Sequence, residues 1–91
     1  MDAVAIKDHI EYLQFELARP LLVMKAPKGI LGCGYINVET CNKTGEACVI
    51  VTGVNNFDEM KKAKVVAVSN KATDLGVTVG ETGESALDKL R

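Results

Sequence analysis

Tryptophan is absent from this chain of 91 residues, histidine occurs once and proline twice. Two tyrosines and two phenylalanines are the whole aromatic complement, too few to build platforms for stacked bases. Charge of one sign is missing as well. Eleven basic and twelve acidic side chains are interspersed along the chain and leave a net charge of −1, which argues against a basic footprint for nucleic acid. No apolar run approaches the ~20 residues that a membrane-spanning helix needs. The opening stretch MDAVAIKDHIEYLQF has neither the basic flank nor the apolar segment of an export signal. Three cysteines, an odd number, come without a C-x-x-C or His-x-x-x-His pair, the local spacing that structural zinc sites use. The expectation is a cytoplasmic chain with reduced thiols, no metal and no cofactor, and with neither nucleic acid nor membrane as partner.

Apolar residues, by contrast, are plentiful at 47%. A chain this short forms one domain, here 1–91, and buries only about 60–65% of its unfolded surface. Part of the remaining apolar surface is therefore expected to meet another chain, most simply a second copy.

The order of patterns reads as four strands followed by helices, an α+β fold with an antiparallel or mixed sheet packed by two or three C-terminal helices. EYLQFELA (11–18) alternates, with Leu13, Phe15 and Leu17 on one face and Tyr12, Gln14 and Glu16 on the other. After Pro20, LLVMKA (21–26) is a second strand, ended by the turn PKG. The third runs from about Ile30 to Glu39. CNKTGE (41–46) is polar and turn-like, and ACVIVTGV (47–54) is apolar on both faces, as a central strand is. Strands three and four are expected to form an antiparallel hairpin about Thr44-Gly45. FDEMKKA (57–63) places acids early and lysines late, the charge order of a helix. The segment from Val65 to Leu75 reads as a helix closed by Gly76, with a strand at 65–68 as the alternative. A last helix follows Thr82, a good N-cap.

Residues with chemical potential are few. Cys33 stands between Gly32 and Gly34 in the third strand. It is either a small buried hydrophobe or a thiol that its neighbours leave open to a ligand. Lys25 and Lys28 could favour its thiolate if they also lay near it in space. Gly32 and Gly34 share a face, which leaves a hollow where a helix or another subunit could pack closely. Lys28, Gly32, Cys33 and Gly34 are thus the candidate ligand-binding residues, and Cys33 is the candidate catalytic one. In the expected hairpin, residues whose numbers sum to 89 face each other. Cys41 then meets Cys48 at disulfide distance, a bond open in a reducing cytosol, and replacing both should leave stability nearly unchanged.

The segments PLLVMKAPKGILGCGYINVE, VTGVNNFDEMKKAKV and KATDLGVTVGETGESALDKL together resemble the YunC-like prokaryotic domains of unknown function, the DUF1805 family. Lys28-Gly29, Cys33-Gly34, Gly53-Val54, Leu75-Gly76, Gly80 and Ala86-Leu87 carry the resemblance by their order and spacing. It implies an α+β fold whose N-terminal sheet region takes part in forming a tetramer, and it implies no established reaction. Two functional readings follow: a homo-oligomer with a small-molecule pocket near the Gly-Cys-Gly strand, or a small enzyme or redox protein using Cys33 as nucleophile or sensor.

Overall fold

The computed structural model describes residues 3–7 and 9–91, with side chains from His9 onward. Six described strands form one mixed sheet in sequential order: β1 (Ala3–Lys7), β2 (Ile10–Phe15), β3 (Leu21–Ala26), β4 (Gly29–Gly32), β5 (Cys48–Ile50) and β6 (Ala67–Val68). Four helices accompany them: α1 (Val38–Thr44), α2 (Phe57–Lys62), α3 (Asn70–Asp74) and α4 (Gly83–Leu90). The architecture is α+β, as the sequence implies.

Alternation in β2 and β3 sets the register. Leu13 faces Val23 and Tyr12 faces Met24, so the side chains sort into two rows. One row, Tyr12, Met24, Leu31, Val49 and Val68, crosses the sheet on the face that meets α2 and α4. Met24, Leu31 and Val49 are fully buried there with Met60, Leu87 and Leu90, and Tyr12 meets Phe57 edge to face at 5.1 Å. Gly83 lets α4 settle onto α2, because a Cβ at this position would fall on the Met60 carbonyl oxygen.

Three expectations need correction. The third strand stops at Gly32, and residues 38–44 are helix. Asn37 accepts the Glu39 N–H at 2.7 Å as N-cap, Lys43 lies in the last turn, and Gly45 closes the helix at φ 79°. These cap signals outweigh the strand-like alternation of ILGCGYINVE, which lies partly in a turn. With α1 as a crossover, β4 and β5 pair in parallel, Ile30 beside Cys48, and the Thr44-Gly45 hairpin does not exist. The sheet also gains β1 and the two-residue β6 beyond the four strands expected. Both alternatives for 65–75 contribute: a strand at Ala67–Val68, then a helix whose N-cap Ser69 accepts the Ala72 N–H.

Cys41 and Cys48 are joined by a disulfide with Cα atoms 6.2 Å apart, and Cys33 is the free cysteine. Their proximity was expected, but not its cause: the bond ties α1 to β5 rather than crossing a hairpin. The expectation of three reduced thiols does not hold in this structure.

Candidate functional site

A parallel pair of neighbouring strands brings two chain exits to the same end of a sheet. Here β4 leaves through Cys33, Gly34 and Tyr35, and β5 leaves through Thr52, Gly53 and Val54. The β2–β3 turn contributes Arg19 and Pro20 at that same end. Together these residues line an open cavity of about 280 Å³. A second, near 180 Å³, lies beside Cys41, with Asn42, Glu46, Asn70, Lys71 and Asp74 among the residues around it.

Cys33 is held tightly. Its N–H donates to the Leu22 carbonyl at 3.1 Å, its Sγ accepts the Leu22 N–H at 3.4 Å, and the thiol faces the Pro20 carbonyl at 3.9 Å. The residue is only 4% exposed. It belongs to the buried core cluster, whereas Tyr35, expected beside it on one strand face, is half exposed in the turn after β4. Val54 is buried, while Arg19, Gly34, Tyr35, Thr52 and Gly53 are exposed at the mouth.

The four candidate residues separate into two ends of β4. Cys33 and Gly34 line the cavity. Gly32 does not: a Cβ there would lie 2.6 Å from Ile36 Cγ1, so its role is to let Ile36 fold over the strand. The hollow expected at Gly32 is therefore filled from within the chain. Gly34 is open, with Thr52 Cγ2 at 3.5 Å as the nearest neighbour of a built Cβ, so the close packing expected there does not occur. Lys28 precedes β4 and donates its N–H to the Leu90 carbonyl at 2.8 Å. At ~3.3 Å per residue it is about 16 Å from Cys33 along the strand. Lys25 is at that far end too, paired with Glu11 at 3.6 Å. Neither lysine is placed to act on the thiol.

Sequence reading missed Arg19, Pro20, Tyr35, Thr52, Gly53 and Val54. The signal that would have found half of them is the helix stop at Gly45, which turns strands three and four into a parallel pair and sends both exits to one end. The cavity contains no His, Asp or Glu, so no side chain beside Cys33 is suited to take its proton near neutral pH. Among the described residues no cluster of His, Cys, Asp and Glu is arranged to hold a metal ion. Among the same residues no helix is long and apolar enough to cross a membrane.

A family model described as a domain of unknown function (DUF1805) matches residues 32–90. The chain belongs to this family. The match begins at Gly32 and so contains both strand exits of the cavity, while Arg19 and Pro20 precede it. The DUF1805 chain is also similar in structure to TA1206, a protein of unknown function from Thermoplasma acidophilum known from a crystal structure. The two are 37% identical, with a TM-score of 0.83 over 98% of this chain and 90% of that one. The structural match thus takes in the N-terminal strands that the family model leaves out. No curated protein matches the DUF1805 chain.

Proposed function

We propose that this chain is a homo-oligomeric binding protein for a small molecule, which sits at the carboxyl ends of β4 and β5 against Cys33. The observation that carries the reading is the cavity: three separate loops converge on a hollow with Cys33, Pro20 and Val54 as apolar lining and few polar groups at its mouth. Ligands of open sheets with parallel strands bind in this position, outside the strands' carboxyl ends. The assembly part is supported by Leu13, Phe15, Val23 and Ile30. All four lie on the sheet face turned away from α2 and α4, half-buried and outside the core and its packed neighbours. A second copy would cover them, and a tetramer through the N-terminal strands is the form proposed. A cytoplasmic location goes with it, without nucleic acid or membrane as partner, on the balanced charge and the lack of an apolar segment.

The second reading, an enzyme or redox protein acting through Cys33, is supported by the thiol's place in the cavity lining and weakened by the absence of a base beside it. Native mass spectrometry of protein purified from its own host tests the first. A retained small molecule is expected on the parent and lost in Gly34→Phe, whose ring would fill the open space beside Thr52. If the parent carries no mass and Cys33 alkylates fast at neutral pH, the second reading replaces the first.

A further inference from the structure

The chain has two arginines, and they differ in employment. Arg91 pairs with Asp88 at 3.1 Å. Arg19 borders the cavity and has no ion-pair or hydrogen-bond partner among the described residues. No carboxylate lines the cavity to answer it. The backbone around the cavity adds donors of the same kind. Among the described residues, the N–H groups of Gly34, Tyr35, Thr52, Gly53 and Val54 donate to no protein acceptor. Gly53, at φ 72°, places a left-handed residue in the middle of one of these segments, a conformation that can gather successive N–H groups around an anion.

From this we infer that the cavity selects a small monocarboxylate with an apolar body. The inference rests on the ligand-binding reading above and names the class of ligand. The carboxylate meets the Arg19 guanidinium, which offers a fork of donors matched to two carboxylate oxygens. The Thr52 hydroxyl and the unclaimed N–H groups supply further donors. The apolar body lies against Pro20, Cys33 and Val54. Size follows from volume: 280 Å³ equals about nine water volumes at roughly 30 Å³ each, room for a ligand of about ten non-hydrogen atoms. A doubly charged anion fits less well, since one guanidinium is the sole formal charge in the lining.

Benzoate and benzamide have nearly the same shape and differ in charge, which makes them suitable probes. Each is titrated into the full chain while amide ¹H–¹⁵N spectra are recorded at low salt. Benzoate should shift the signals of Gly34, Tyr35, Thr52, Gly53 and Val54 and bind about tenfold or more tightly than benzamide, the usual scale for a charge-assisted hydrogen bond. Arg19→Gln, a change at an exposed site, should keep the spectrum of the fold and bring benzoate down to the benzamide level. If both probes shift the same amides with equal affinity, the pocket stands and the carboxylate preference is overturned. If neither shifts them, the binding reading itself fails and takes this inference with it.

Discussion

Glu81 fastens the connector before α4 through one carboxylate. Its Oε2 accepts the Thr78 N–H at 2.6 Å and lies 3.0 Å from Lys89 Nζ, while Oε1 accepts the Ser85 hydroxyl at 2.6 Å. Lys89 also donates to the Gly76 carbonyl at 2.8 Å, so two turns of chain meet at one ion pair. Burial pushes the Glu81 carboxyl up. The Ser85 and Thr78 hydrogen bonds and the Lys89 bond and charge outweigh that and hold it at about 2, against an ordinary 4.5. A carboxyl lowered by folding stabilises the fold above its unfolded value and loses that contribution as pH falls through the folded one. The parent should therefore shed stability between about pH 4.5 and pH 2, and Glu81→Gln should shed less over the same window in thermal melts. Gly34 makes the opposite kind of residue-scale case, because nothing crowds it. Gly34→Val should melt within about 0.5 kcal/mol of the parent, as exposed substitutions do. Gly32→Val should cost about 1–3 kcal/mol, since Ile36 already occupies the space.

Helix α1 is the element least able to stand alone. It has seven residues, of which Cys41 is the buried one, and a helix that short is not stable without docking. The Cys41–Cys48 disulfide ties it to β5, and the Asn42 side chain accepts the Asn70 N–H at 2.8 Å. Closing a loop of about eight residues is worth roughly 2.5 kcal/mol in the chain-entropy account. Replacing both cysteines by serine should thus lower the stability of air-oxidised protein by about 2 kcal/mol, in contrast to the neutral outcome expected from sequence. With a dithiol reductant present, most of that difference should vanish, because the parent then has two thiols as well. Denaturant titration with and without reductant checks both statements.

At the scale of the whole molecule, α2 and α4 cover one face of the sheet, and α1 lies at the β5 end of the other. Leu13, Phe15, Val23 and Ile30 remain half-buried on the rest of it. Lone apolar residues on a surface are ordinary, but a group of neighbouring ones on a sheet face is the mark of an interface. Light scattering at micromolar concentration should give a mass above that of one 9.8 kDa chain. Phe15→Glu should shift it toward the monomer while circular dichroism stays close to the parent's. A monomeric parent would remove the assembly from the proposal.

Much of the local structure was legible in the residues. Strand β3, helix α2 with its early acids and late lysines, and helix α4 after Thr82 fall where period, charge order and caps put them. Family membership was legible too, through the order of the glycine pairs. The direction of β5 was not. Alternation through ILGCGYINVE satisfies a strand as well as a short strand plus turn; the caps Asn37 and Gly45 favour the second, and the docking of α1 beside β5 completes it. That one difference changes the pairing of β4 and β5 from antiparallel to parallel and moves Cys33 from mid-strand to a chain exit. It also sets Thr52 beside Gly34, eighteen residues away in sequence, where the hairpin would have faced Gly34 with Asn55. Residue types and periods report what each segment does to its own backbone and which side chains want burial. Which loops meet depends on how the segments pack, and the cavity is made entirely of such meetings.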